Sequence, residues 1–124
     1  MQDERTPLPD DDVAAIEPDA GLSVDMQVNV ARAADLLRAI GSEHRLMILC
    51  LLSERDMTVS EVCEATGMRQ SLASQHLGRL RLDELVRAER KGHFVVYSLC
   101  DAVAREIVQL LHRHFCAPKV GSST

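Results

Sequence analysis

The chain has 124 residues, 46% of them apolar, a formal net charge of -5 and four cysteines, which suits one domain whose modest core dimerisation would enlarge. No run of about 18 apolar residues offers a membrane helix, and Met1-Gln2-Asp3-Glu4-Arg5 has neither the basic start nor the apolar middle of a signal peptide, so the expected location is the cytoplasm, off the membrane. Cys50, Cys63, Cys100 and Cys116 form no C-x-x-C pair, which excludes a zinc ribbon and, in a reducing compartment, leaves four thiols.

Charge is unevenly distributed. Residues 1–25 hold eight acids against one base, residues 26–124 eleven acids against thirteen bases, and the span 69–91 three acids against six bases. The acidic balance therefore belongs to the leading segment, and the remainder of the chain is basic enough to meet nucleic acid. Residues 1–23, rich in Pro and Asp, are expected to be an acidic disordered tail, 24–118 the folded domain and 119–124 a flexible end.

Val30, Ala33, Ala34 and Leu37 repeat at helical spacing and predict an amphipathic helix from about Val24 to Ile40. Gly41 ends it, and Ser42 can cap a second helix from Glu43 to about Ser53. There Leu46-Met47-Ile48-Leu49-Cys50-Leu51-Leu52 is apolar all round, which predicts a central core helix and a buried Cys50. Thr58-Val59-Ser60-Glu61 has the form of a capping box and starts a short third helix. Gly67 suits a sharp turn at positive φ, after which a helical period resumes from about Arg69 to Asp83.

On that fourth helix Ala73, His76, Leu77 and Leu80 share one side, and Ser71, Ser74, Gln75 and Gly78 the other. A small, polar, nearly uncharged face suits base edges in a major groove, because Ser and Gln both donate and accept and glycine lets the backbone approach. Arg69 and Arg79 stand at its ends. Val86–Lys91 and Phe94–Leu99 then flank Gly92-His93, a two-residue hairpin signal that gathers Arg90, Lys91 and His93 at its tip. Asp101 can cap a last helix running to about Phe115. Its stripe of Val103, Ile107, Leu110, Leu111 and His114 is expected to pack on the first helix and on a partner subunit. The element order predicts a mainly α fold with a small β-hairpin, a winged helix-turn-helix.

Ser74-Gln75-His76-Leu77, Leu80, Leu85-Val86 and the basic hairpin ending in Val96-Tyr97-Ser98-Leu99 resemble the DNA-binding core of the ArsR/SmtB repressors, over about Val30 to Pro118. The resemblance implies a homodimer joined through the first and last helices on double-stranded operator DNA. Arg69, Gln70, Ser71, Ser74, Gln75 and Arg79 would read the operator, and Arg90, Lys91 and His93 would form the wing contact. One departure is Glu84, at a place where the family usually carries glycine; it leaves the end of the fourth helix open.

Cys50 and Cys116, 66 positions apart, resemble in their surroundings the two cysteines of the persulfide-sensing branch of that family. The implied inducer is a reactive sulfur species, and the implied switch a disulfide or polysulfide link between Cys50 and Cys116 that releases the operator. Two thiols suit the task, since one takes up sulfur and the other captures it. A plain disulfide needs Cα atoms roughly 4.4 to 6.8 Å apart, and a wider or badly angled pair favours a longer sulfur chain. His112, one turn before Cys116, either favours its thiolate or is an ordinary surface histidine.

Cys63 and Cys100 read as small hydrophobes; no catalytic residue, cofactor or dedicated metal site is expected, although His112, His114 and Cys116 could still hold a metal weakly. Ala65 stands where the family's C-x-C metal motif needs its second cysteine. Asp101 and His114 match two ligands of the family's zinc site, but Val103 and Ala117 occupy the other two places. A metal- or arsenic-responsive repressor is the nearest alternative. A sulfur-handling thiol enzyme and a bare dimerisation module are more distant.

Overall fold

The computed structural model describes residues 23–116. The expected acidic tail, apart from Ser23, and the expected flexible end lie outside them. Helices α1 (Val24–Ile40) and α2 (Glu43–Glu54) are followed by strand β1 (Met57–Thr58), helices α3 (Val59–Thr66) and α4 (Gln70–Leu82), strands β2 (Val86–Lys91) and β3 (Phe94–Leu99), and helix α5 (Ala102–Leu111). The last described turn, His112–Cys116, is π-helical. The chain divides into two compact units at Asp35 and Leu36, inside α1. In the first unit Val24, Met26, Val28 and Val30 are exposed.

The second unit is built on well-capped helices. Ser42 Oγ accepts from the Arg45 amide at 3.4 Å and Asp101 Oδ2 from the Ala104 amide at 2.8 Å. Thr58 Oγ1 accepts from the Glu61 amide at 3.2 Å while Glu61 Oε1 accepts from the Thr58 amide at 2.9 Å, so the capping box is closed in both directions. The Arg45 guanidinium donates to the Ala39 and Arg38 carbonyls at 2.7 and 3.3 Å and satisfies the open end of α1. Gly67, at φ +80°, ends α3 and makes the turn into α4.

Helix α4 closes in a Schellman arrangement. The Leu85 amide donates to the Leu80 carbonyl and the Glu84 amide to the Arg81 carbonyl, both at 3.0 Å. Glu84 takes the left-handed position at φ +64°. The helix therefore ends where a glycine would end it, with a side chain that has to bear the steric penalty.

The β-hairpin turns out to be part of a three-stranded antiparallel sheet in the order β1-β3-β2, with Met57 opposite Tyr97 and Val86 opposite Leu99. The extra strand is two residues long, too short to leave a pattern in the sequence. At the wing tip only the first turn residue, Gly92, has positive φ (+65°), as in a type II′ turn.

The core gathers Ile48, Leu49 and Leu52 of α2, Val62 of α3, Ala73, Leu77 and Leu80 of α4, Leu85, Val86 and Leu99 of the wing, and Ala104 and Val108 of α5. One expectation needs correction. Helix α2 is not buried all round: Met47 is 43% exposed and Cys50, though packed against the core, is only half-buried, because positions 47, 50 and 54 lie on the side of the helix away from Ile48, Leu49 and Leu52. On α5 the residues turned inward are Ala104 and Val108. Val103 and Leu110 of the stripe expected to meet a partner subunit are exposed among the described residues of the single chain, as is Leu37 of α1.

Candidate functional site

Two sites emerge. On α4 the buried residues Ala73, Leu77 and Leu80 fix the helix against the core, which leaves Gln70, Ser71, Ser74, Gln75 and Arg79 exposed on its outer side. Arg69, at the N-cap, is exposed too. Gly78 has open space around its Cβ position, so the backbone there is accessible. Arg79 Nε donates to Asp83 Oδ2 at 3.3 Å, an exposed i, i+4 pair that leaves the terminal nitrogens of the guanidinium out of that bond. Arg90, Lys91 and His93 are exposed around the wing tip, next to a 64% exposed Phe94. Behind the exposed face of α4 the His76 ring stacks on His44 of α2, with centroids 5.3 Å apart. Burial, then the charges of His44 and Arg45, hold the His76 pKa below its ordinary value.

The second site lies where α2 meets the π-helical turn after α5. Cys50 Sγ, Cys116 Sγ and a ring nitrogen of His112 all lie within 4.8 Å of one another. Each half is an i, i+4 arrangement, Cys50 with Glu54 on α2 and His112 with Cys116 on the last turn, so each element presents two groups on one side. His112 Nε2 is 3.3 Å from Glu54 Oε2. Its Nδ1 is buried and has no hydrogen-bond partner among the described residues. Burial in the first place, then the charge and hydrogen bond of Cys116 and the charge of Glu54, push the Cys50 thiol up to about 11. At neutral pH Cys50 rests as a thiol, while Cys116 is exposed and within reach of a reagent.

The remaining candidates stay apart. Cys63 is half-buried on α3, and the exposed Cys100 Sγ donates to the Glu84 carbonyl at 3.7 Å. Asp101 is occupied as the cap of α5. Sequence reasoning singled out both Cys50 and Cys116 but missed the Glu54 link to His112. The i, i+4 spacing of each pair was visible; their meeting across the fold was not.

The profile of the arsR family of bacterial regulatory proteins matches residues 42–88, from α2 into β2. The transcriptional activator HlyU of Vibrio cholerae is 38% identical over 92 residues, 74% of this chain and 85% of that protein. The chain belongs to the arsR family. Reduced HlyU from Vibrio cholerae has a solved structure similar to this one at a TM-score of 0.72, covering 75% of this chain and 98% of that one. The repressor BigR from Xylella fastidiosa is similar at a TM-score of 0.68 and 34% identity, over 76% and 96% of the two chains. A homodimeric winged helix-turn-helix domain from Mycobacterium bovis is similar at 0.66 and 28% identity, over 77% and 88%.

As an arsR protein the chain is a DNA-binding transcriptional regulator and not an enzyme. Its mainly helical fold with a small antiparallel sheet is the winged helix-turn-helix. Among the described residues no helix is long and apolar enough to cross a membrane.

Proposed function

We propose that this arsR protein is a homodimeric repressor that leaves its operator when reactive sulfur links Cys50 to Cys116. The observation that carries the reading is the meeting of these two thiols, 66 positions apart in sequence, within 4.8 Å. The exposed thiol reacts first. As thiolate, Cys116 attacks the central sulfur of a trisulfane and expels hydrosulfide. Cys50 then gives its proton to solvent, attacks the transferred sulfur and expels a second hydrosulfide. Two thiols are oxidised to a trisulfide and the trisulfane is reduced to two molecules of hydrogen sulfide, so sulfur, hydrogen and electrons balance.

The link would tie α2 to the end of α5. Both elements reach the DNA-reading parts: His44 of α2 stacks on His76 of α4, and Arg105 of α5 donates to the Ser53 carbonyl at 3.3 Å and to the Leu99 carbonyl, at the root of the wing, at 2.7 Å. The exposed apolar residues of α1 and α5 support a dimer joined through those helices. A change in their packing alters the spacing of two recognition helices, and half-sites one DNA turn apart respond to that spacing. A coupling of about 1 to 3 kcal/mol weakens binding roughly 5- to 150-fold.

In the dimer Arg69, Gln70, Ser71, Ser74, Gln75 and Arg79 face base edges and phosphates, and Arg90, Lys91 and His93 the flanking groove. Substituting Ser74 or Gln75 should relax sequence preference, while losing Arg90 or Lys91 should weaken all DNA binding and flatten its salt dependence. The deciding experiment is fluorescence anisotropy of upstream promoter DNA with reduced, metal-free protein, repeated after polysulfide, hydrogen peroxide, arsenite or zinc. Polysulfide should release DNA and add a sulfur-bridged mass. Release that survives Cys50→Ser or Cys116→Ser would defeat the two-thiol switch.

A further inference from the structure

The thiol pair is not alone at the α2–α5 junction. His112 completes a three-donor cluster with Cys50 and Cys116, all donor atoms within 4.8 Å. The imidazole is set up in a particular way: Nε2 is engaged by the Glu54 carboxylate at 3.3 Å, and Nδ1 is buried without a hydrogen-bond partner among the described residues. A carboxylate on one ring nitrogen fixes the tautomer, with the proton toward the carboxylate and the lone pair on the other nitrogen. A buried nitrogen lone pair with nothing to accept calls for a partner. Both features stand independently of the sulfur chemistry, which needs only the two thiols.

We infer that Cys50, Cys116 and His112 form a binding site for a thiophilic divalent cation, zinc in the first instance, with Glu54 orienting the imidazole. Two thiolates and one imidazole are a donor set that zinc accepts, with a fourth position left for water. With Zn–S distances of about 2.3 Å, tetrahedral sulfurs sit roughly 3.8 Å apart, so donors within 4.8 Å have about an ångström or less to close. Cys116, exposed on the terminal turn, has the freedom to make that movement. Magnesium and calcium do not fit a site of sulfur and nitrogen donors. None of Cys63, Asp101 and His114, the positions matching the family's metal motifs, belongs to the cluster.

Binding converts two thiols and one zinc ion into a zinc dithiolate and two released protons. Each sulfur lone pair that would attack a polysulfide is then held by the metal. Zinc and reactive sulfur would therefore compete for the same two atoms, zinc acting as a cap that sets the sensor's threshold.

The test uses the full reduced chain under anaerobic conditions. Cobalt as a spectroscopic stand-in should bind in one equivalent, with tetrahedral ligand-field bands and thiolate-to-cobalt charge transfer, and zinc should displace it. Cys50→Ser and Cys116→Ser should each abolish tight binding, His112→Ala should abolish or strongly weaken it, and Glu54→Gln should weaken it about tenfold. A Cys63→Ser/Cys100→Ser protein should bind unchanged. Should a variant fold poorly, the unmodified chain still decides: zinc should protect Cys50 and Cys116, and not Cys63 or Cys100, from alkylation read by mass spectrometry. Absence of charge transfer, its loss in the Cys63→Ser/Cys100→Ser protein, or alkylation of Cys50 and Cys116 unaffected by zinc would overturn the site. Polysulfide cross-linking is measured separately on metal-free protein, so failure of the sulfur switch and failure of the metal site give different results.

Discussion

Helix α4 and the wing are set by contacts between near neighbours in sequence, whereas the Cys50–His112–Cys116 junction joins α2 to the far end of the chain. The exposed face of α4 and the wing follow from a capping box at Thr58, positive φ at Gly67, a Schellman end at Glu84 and a two-residue turn at Gly92. Every one of these acts within about six residues. The junction has no such local determinant; it exists because the core holds Ile48, Leu49 and Leu52 of α2 against Ala104 and Val108 of α5. The surface proposed to read the operator is fixed by short-range geometry. The junction proposed to respond is held by long-range packing, which a small covalent or ionic change would bias.

If both regions rest on one core, damage to that core reaches both. Leu77 is fully buried under the reading face, so Leu77→Ala should cost about 2 to 5 kcal/mol. Thermal denaturation by circular dichroism and the onset of rapid Cys50 alkylation should then shift together; a shift in only one would make the regions separate cooperative units. A narrower cut is Arg105→Ala, which removes the guanidinium shared by the Ser53 and Leu99 carbonyls. It should cost roughly 1 to 3 kcal/mol in chemical denaturation and leave polysulfide cross-linking intact while reducing DNA release.

Thr58→Ala opens the capping box and should cost about 1 kcal/mol, without changing the reactivity of Cys50 or Cys116. Glu84→Gly should act in the opposite direction. Relief of the left-handed glutamate, offset in part by the greater freedom of unfolded glycine, should raise stability by roughly 0.5 to 1 kcal/mol at unchanged DNA affinity.

The pH dependence separates the two thiols without any substitution. Because burial and Cys116 push the Cys50 pKa up, its thiolate is scarce at neutral pH, and its alkylation should rise about tenfold per pH unit until pH approaches about 11. A Cys50 rate already levelling near pH 9 would mean that the desolvated junction is not maintained in solution.

The same division explains what could be read in advance. Ser42, Thr58, Gly67 and Asp101 announce their elements because a cap or a turn needs one residue type at one place. The exposed Ser74 and Gln75 followed from period alone. The two-residue strand β1 carries no period, and pairs only because Tyr97 and Val96 pass beside it. The half-exposure of Cys50 was hidden within an unbroken apolar run, and the Glu54 contact with His112 depends on how two helices meet. Glu84 was visible as a departure from glycine, but which would yield, the residue's preference or the helix end, was settled by the backbone bonds to Leu80 and Arg81.

The ring stack between His44 and His76 gives α2 a mechanical role. At about 1.5 Å of rise per residue, His44 and Cys50 are roughly 9 Å apart along one stiff rod. Under the proposed switch, a pull at Cys50 would reach α4 through gearing, one rigid body turning another. No element would then have to melt and reform, and resetting would require only that the sulfur bond be broken.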